Sequence, residues 1–129
     1  MKQFTLIVGA LYGMLSIILG AFGAHAFKKL ISVEKLESFE VGVRYMMYHA
    51  IVLLVLGFFL NFETGIERNA SRFMIIGTFL FSVSIYVLAF SERVNLPTKF
   101  IGPVTPIGGL LMIIGWALLL VYFFKNFKG

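Results

Sequence analysis

The sequence predicts an all-α fold: an integral membrane four-helix bundle with a short interfacial amphipathic helix between spans 1 and 2. The first observation is composition, since 60% of the 129 residues are hydrophobic and only 13% are charged. A soluble domain of this size has too little interior to bury so much apolar surface. The second observation is that four stretches lack any charged residue, at 3–27, 45–62, 73–91 and 100–124.

Each uncharged stretch is long enough for one membrane-spanning helix. The stretches are 18 to 25 residues long, and a helix needs about 17–25 apolar residues to cross the hydrocarbon core. A transmembrane barrel would instead show alternating segments of about ten residues, and these stretches do not alternate. We therefore expect a single membrane domain over residues 1–129, with spans at about 4–26, 44–62, 72–91 and 105–124.

Span 1 is predicted to be retained and to pack closely against another helix. Its apolar stretch exceeds the ~7–15 residues of a signal peptide, although Ala24-His25-Ala26 resembles a cleavage site. Small residues recur along it at steps of four and three, which lets helix backbones approach closely in a membrane. They are Gly9, Gly13, Ser16, Gly20 and Gly23, with a sparser version in span 3 at Gly77 and Ser84. The rival interpretation is a gated or pore-lining helix, and the packing partner is either this chain or a second copy in a homo-oligomer.

The segment after span 1 carries helix signals of its own. Ser32 is a favourable N-cap residue, and Glu34 in the first turn suits the helix dipole. Apolar residues then follow at helical spacing, which predicts an amphipathic helix over residues 33–42 lying on the membrane interface. The alternative is that span 2 begins early and protrudes from the membrane.

Span 4 is preceded by a predicted break in helical structure. Prolines and glycines crowd its beginning, at Gly102, Pro103, Pro106, Gly108 and Gly109. Such a segment does not begin a regular helix at Gly102, whereas proline is tolerated in a first turn. We expect the regular helix to begin near Pro106.

Polar residues are expected to converge on the side of the first loop. His25 ends span 1 and His49 lies near the start of predicted span 2, so both should lie at similar depth. Ionisable groups near hydrocarbon are costly and often functional. The candidate polar site comprises His25, Glu40, Arg44, Tyr48, His49 and Thr105, with an ion pair between Glu40 and Arg44 one turn apart.

The two histidines admit three roles: structural hydrogen bonding, binding of a proton or ligand, and metal binding. Two histidines without a third ligand are poor evidence for zinc, so neither a metal nor another cofactor is expected. The chain contains no cysteine, which excludes disulfides, thiolate metal sites and thiol nucleophiles. Phosphate-binding loops and catalytic motifs are also absent from the sequence, so we do not expect an enzyme.

The net charge of +5 favours contact with anionic lipid headgroups of the bilayer. The basic residues are scattered among short loops, which argues against nucleic acid as a partner. Five basic residues lie on the side of the termini and six on the other, so the positive-inside rule does not decide orientation. The cationic tail containing Lys125 and Lys128 favours cytoplasmic termini in a multi-pass protein of the cell membrane.

Five segments together resemble a known family. They are GAFGAHAF at 20–27, FEVGVRYMMYHA at 39–50, GTFLFSVSIY at 77–86, GPVTPIGG at 102–109 and Gly115-Trp116. In order and spacing they are similar to the YwdK/YgdD-type family of small bacterial membrane proteins. The resemblance implies four membrane spans. The family's biochemical function is uncharacterised, so the resemblance supplies no catalytic residues.

Two functional hypotheses follow from these observations. The first is a non-enzymatic multi-pass membrane protein that acts through helix packing, in membrane integrity or as a partner of other membrane proteins. The alternative is a small oligomeric transporter or channel with a polar site near His25, Arg44 and His49. Interrupted helices beside polar residues favour the second hypothesis, because they often build binding sites in transporters.

Overall fold

The computed structural model describes residues 1–126 and consists of four long helices. They are α1 (Lys2–His25), α2 (Val33–Phe59), α3 (Gly65–Ala89) and α4 (Val104–Asn126), with one turn of 3₁₀ helix at Phe27–Lys29 after α1. All four are long and apolar enough to cross a membrane. The predicted all-α bundle of four membrane helices is confirmed, while Lys128 of the cationic tail lies outside the described residues.

Local sequence signals explain where three of the helices begin. The Ser32 hydroxyl accepts a hydrogen bond from the Lys35 amide at 3.2 Å, so it caps α2. The Thr64 hydroxyl accepts one from the Glu67 amide at 3.3 Å and caps α3. These side chains satisfy amides that have no partner within the helix. In α4, Pro106 occupies the first turn, where its missing amide costs nothing.

The separate interfacial helix predicted for residues 33–42 requires correction. That segment is helical, but it is continuous with span 2, so a single helix α2 begins at Val33. Gly42, a residue at which the chain could have bent, lies inside this continuous helix and packs against α3. A Cβ there would lie 2.8 Å from the Tyr86 ring.

Two other predicted boundaries differ from the structure. Helix α3 begins at Gly65 rather than near residue 72, because the Thr64 cap extends it into the polar segment. Helix α4 begins at Val104, so Gly102 and Pro103 precede it whereas Gly108 and Gly109 lie inside it. The predicted break is therefore confined to the residues before Val104.

The helices are arranged with α2 and α3 in the middle. Helix α1 packs on α2 and touches α3, and helix α4 packs on α3. Within residues 1–126, no Cα atom of α4 comes within 8 Å of one in α1 or α2. The backbones of α2 and α4 therefore stay apart on either side of α3, and we call the space between them the furrow. We call the side of the bundle with Lys2 and Asn126 the terminal face and the opposite side the loop face.

The small residues of α1 face α2 of the same chain. A Cβ added at Gly9 would lie 3.2 Å from the Ala50 carbonyl oxygen, and one at Gly23 would lie 3.4 Å from the Phe39 ring. Gly13 and Gly20 face Ala50 and Val43 at ordinary contact distances. This register fixes α1 and α2 as antiparallel neighbours.

Glycines bring α3 and α4 closer still. A Cβ at Gly77 would lie 2.7 Å from the Met112 amide nitrogen, and a Cβ at Gly108 would overlap the backbone of Phe81. A Cβ at Gly115 would lie 2.7 Å from the side-chain Cγ atom of Met74. Gly108, assigned from the sequence to the helix break, is therefore at the closest contact between α3 and α4.

The exterior of the bundle is apolar on all four helices. Exposed large hydrophobic residues include Ile17 on α1, Phe59 on α2, Phe79 on α3 and Ile113 on α4. The buried core is smaller and includes Tyr12, Met46, Leu53, Met74 and Leu119. An exterior of this kind requires lipid as its solvent.

The α3–α4 contact predicts opposite outcomes for one substitution at two glycines. Alanine gains up to ~1 kcal/mol of helix propensity over glycine, but at Gly108 its methyl group meets the Phe81 backbone. Overpacking typically costs about 1–3 kcal/mol. Gly108→Ala should therefore lower the thermal unfolding midpoint of the purified protein in detergent.

Gly65→Ala is the matched control, because nothing lies within 4 Å of a Cβ at that position. It should leave the midpoint unchanged or raise it. Equal midpoints for the two variants would contradict the close approach of α3 and α4.

Candidate functional site

The two histidines lie at different depths in the bundle. Gly23 faces Phe39 and Gly13 faces Ala50, so His49 is level with Gly13 rather than with His25. The helical rise then separates the histidines by roughly 18 Å along α1. The expectation of similar depth is wrong, because α2 begins at Val33 and His49 falls near the middle of the helix.

The remaining predicted polar residues do not converge either. His25, Glu40, Arg44 and Tyr48 are exposed. Glu40 and Arg44 form no ion pair in the described structure, where the ion pair found joins Lys35 to Glu92 at 3.4 Å.

Tyr48 and Thr105 have different neighbours from those expected. The Tyr48 ring packs on the Tyr45 ring, with 5.6 Å between their centroids. The Thr105 hydroxyl bonds the Ser84 hydroxyl of α3. Each residue of the predicted site therefore has its own surroundings.

His49 is the one member of the predicted site that is buried, at 4% exposure. Its Nδ1 lies 2.8 Å from the Tyr45 carbonyl oxygen, and its Nε2 lies 3.1 Å from Nε1 of Trp116. An indole N–H only donates, so Nε2 must accept and Nδ1 must carry the proton that it donates to Tyr45. The imidazole is therefore neutral and bonded at both nitrogens, and it links α2 to α4.

Helix α3 presents a row of buried polar side chains to the other helices. Ser71 bonds Thr5 of α1 at 2.7 Å, and Ser82 donates to the Gly42 carbonyl of α2 at 2.8 Å. Between them, the fully buried hydroxyl of Thr78 has no partner among the described residues. The row therefore provides polar links between helices and leaves one hydroxyl unpaired within the bundle.

The turn between α2 and α3 is organised by a buried carboxylate. Glu67 accepts hydrogen bonds from the Phe62 amide at 2.6 Å and from the Thr64 hydroxyl at 3.1 Å. Arg68 donates to the carbonyls of Phe62 and Glu63. These bonds hold Phe62 at a φ of 57°, a region that non-glycine residues seldom adopt.

Sequence reasoning assigned no role to this turn. The spacing of Thr64 and Glu67 matches a capping box, which is a recognisable signal for a helix N-terminus. The hydrogen bond that the amide of Phe62, two residues before the cap, donates to Glu67 has no comparable sequence signal.

Two adjoining cavities open on the loop face. One of about 290 Å³ is bordered by α2, α3 and the start of α4, and one of about 250 Å³ is bordered by the residues just before α2 and just after α3. Lys35 and Ala89 line both. The larger has an apolar floor of Ile85 and Leu88, and the smaller includes Glu92 and Arg93.

Comparison with known proteins identifies the family. The profile described as "Protein of unknown function (DUF423)" matches residues 19–109. The chain belongs to this family. A Staphylococcus aureus (strain bovine RF122 / ET3-1) relative, a UPF0382 membrane protein, is 40% identical over 126 residues, covering 97% of this chain and 98% of its own. The UPF0382 membrane protein YwdK of Bacillus subtilis (strain 168) is 37% identical and covers 94% of this chain and 95% of its own. The predicted resemblance is confirmed.

The relatives extend beyond bacteria. A UPF0382 membrane protein of Schizosaccharomyces pombe is 36% identical over 115 residues, covering 88% of this chain and 96% of its own. These relatives are named as membrane proteins, which agrees with the four apolar helices. No solved structure matches the chain.

The hydrogen bonds of His49 predict its tautomer. In ¹⁵N NMR of the His25→Gln variant, the remaining imidazole should show a protonated Nδ1 and an unprotonated Nε2. A protonated Nε2 would contradict the bond from Trp116, because two N–H groups would then face each other.

The same pair predicts a coupled loss of stability. Trp116→Phe should destabilise the protein by about 1–3 kcal/mol, because the buried Nε2 of His49 loses its donor. In a His49→Leu background, this penalty should disappear from the detergent unfolding curve. Equal penalties in both backgrounds would show that the two side chains are not coupled.

Proposed function

We propose that this protein is a non-enzymatic multi-pass protein of the cell membrane. In this proposal its helices act by contacting lipid and neighbouring membrane proteins, and so contribute to membrane integrity. The observation that carries the proposal is the apolar exterior, which covers exposed faces of all four helices. Four buried polar side chains within the spans bond inside the bundle, namely those of Thr5, Ser71, Ser82 and His49.

The proposal places protein partners on the two outer helices. The small residues of α1 face α2 of the same chain, so a second copy or another protein would meet larger side chains. Ile17 on α1 and Leu120 on α4 are among the most exposed apolar residues of their helices. Because α1 and α4 do not approach each other, each helix has a free face for a partner. We place the termini in the cytoplasm, which the cationic end containing Lys125 supports.

Photo-crosslinking in native membranes tests this proposal. A benzophenone amino acid at position 17 or 120 should yield a discrete crosslinked species containing a second copy or another membrane protein. The matched control is Val94, which is also exposed but lies in the irregular segment outside the four helices. Crosslinks to lipid alone at both 17 and 120 would remove the protein-partner part of the proposal.

A second candidate function, transport by an oligomer, is favoured by the buried polar row of α3. Ser71, Thr78 and Ser82 succeed one another along this helix, and His49 lies in α2 beside it. Polar groups at this depth are uncommon in membrane helices and often mark ion or substrate paths. An oligomer would be required, because four helices leave little room for a path in one protomer.

Flux through proteoliposomes tests the second candidate. His49→Ala should reduce any protein-dependent flux of protons or ions, because it removes a polar group from the middle of α2. His25→Ala and Arg44→Ala change exposed residues and should have smaller effects. Flux equal to that of protein-free liposomes, or unchanged in all three variants, would eliminate transport.

A further inference from the structure

The furrow between α2 and α4 continues from the loop face towards the middle of the bundle. At the loop face, Lys35 and Ser38 of α2 border the larger cavity together with Thr105 of α4. Deeper in the furrow, the ring of Phe81 on α3 meets Tyr45 of α2 at a centroid distance of 5.3 Å. Phe81 also faces Gly109 of α4, so it forms the floor at this level.

The furrow ends where His49 and Trp116 join α2 to α4. Their side chains meet across the space that the two backbones leave open. The Trp116 indole is half exposed, so part of its ring is open to molecules around the bundle. Along α2, Lys35 and His49 are separated by roughly 21 Å of helical rise. Half of a bilayer, headgroups included, is roughly 20–22 Å thick.

The two ends of the furrow differ in chemistry. The loop-face end is cationic, because Lys35 and Arg93 border the adjoining cavities. Glu92 pairs with Lys35, but its side chain is 82% exposed, and exposed ion pairs of this kind contribute little. The rest of the furrow is lined by Ile85, Leu88 and aromatic rings.

We propose that this furrow binds one phospholipid, with its phosphate at Lys35 and Arg93 and one acyl chain along α3 towards Trp116. A polar cationic mouth above an apolar groove complements an anionic headgroup above an acyl chain. The length of the furrow matches one leaflet. Ser38 is exposed beside the larger cavity, so its hydroxyl is available to the ester oxygens of such a lipid. The inference deepens the proposed function, because it names a lipid and a position for the lipid contacts.

Trp116 is the sole tryptophan of the chain, so it reports on the furrow directly. The purified full-length protein in a neutral detergent would be titrated with phosphatidylglycerol carrying brominated acyl chains, which quench indole fluorescence. We expect saturable quenching at low lipid-to-detergent ratios. Lys35→Ala should raise the lipid concentration at half-saturation about tenfold, because it removes a charge-assisted bond to the phosphate.

Two further variants make the test specific. Ser38→Phe places a ring in the mouth of the furrow at an exposed position, and it should abolish saturable quenching. Lys28→Ala removes a charge on the same face but outside both cavities. This variant should bind the brominated lipid with the same affinity as the unaltered protein. Circular dichroism should be the same for all variants.

The outcomes distinguish a bound phospholipid from a free phosphate and from lipid that merely mixes with the detergent. Quenching that rises linearly with brominated lipid, or that is equal in Lys35→Ala and Lys28→Ala, would overturn the proposal. Displacement of the lipid by soluble glycerol phosphate would show a site for free phosphate and would also overturn it. Brominated diacylglycerol, which lacks the phosphate, should not saturate. The measurement involves no protein partner, so its failure would leave the crosslinking result unaffected.

Discussion

Lipid offers no hydrogen bonds, and this constraint governs the arrangement of the polar groups within the spans, with the unpaired Thr78 hydroxyl as the exception. A hydroxyl or imidazole facing hydrocarbon would lose its partners, so polar side chains must bond to the backbone or to each other. Helix α3 meets this requirement by directing Ser71 and Ser82 towards α1 and α2. His49 meets it by bonding Tyr45 in its own helix and Trp116 in α4. The inward-facing hydrogen bonds and the apolar exterior therefore have the same cause, which is that lipid is the solvent.

Glycine positions then determine which helices become neighbours. Apolar side chains gain little from leaving lipid for a helix interface, so close backbone approach is what favours one pairing over another. Gly9 and Gly23 direct α1 onto α2, and Gly77 and Gly108 direct α3 onto α4. No comparable contact joins α2 to α4 in the described part of the chain, and their backbones stay apart. The furrow thus results from the distribution of glycines.

The sequence was sufficient for the class of fold and insufficient for the site. Uncharged stretches of membrane-spanning length depend on composition alone, so the number of helices and their approximate positions were predictable. The depth of His49 was not, because it depends on whether the chain bends at Gly42, and a glycine in a helix serves either bending or close packing. Gly108 was misassigned for a related reason, since neighbouring prolines indicated a break where the structure has a crossing. The Glu67–Phe62 bond needs a residue other than glycine in the left-handed backbone conformation, and local sequence patterns do not reveal such a residue.

The closed turn at Phe62 has a consequence for how the chain is assembled. Its bonds to Glu67 and Arg68 span only a few residues, so the turn can form as soon as the start of α3 has been synthesised. Helices α2 and α3 can then enter the bilayer together as a hairpin, with the Phe62 amide already bonded to Glu67. Helix α4, synthesised last, has only to dock on the exposed side of α3. The order in which the helices are synthesised is thus also the order in which they pack onto one another.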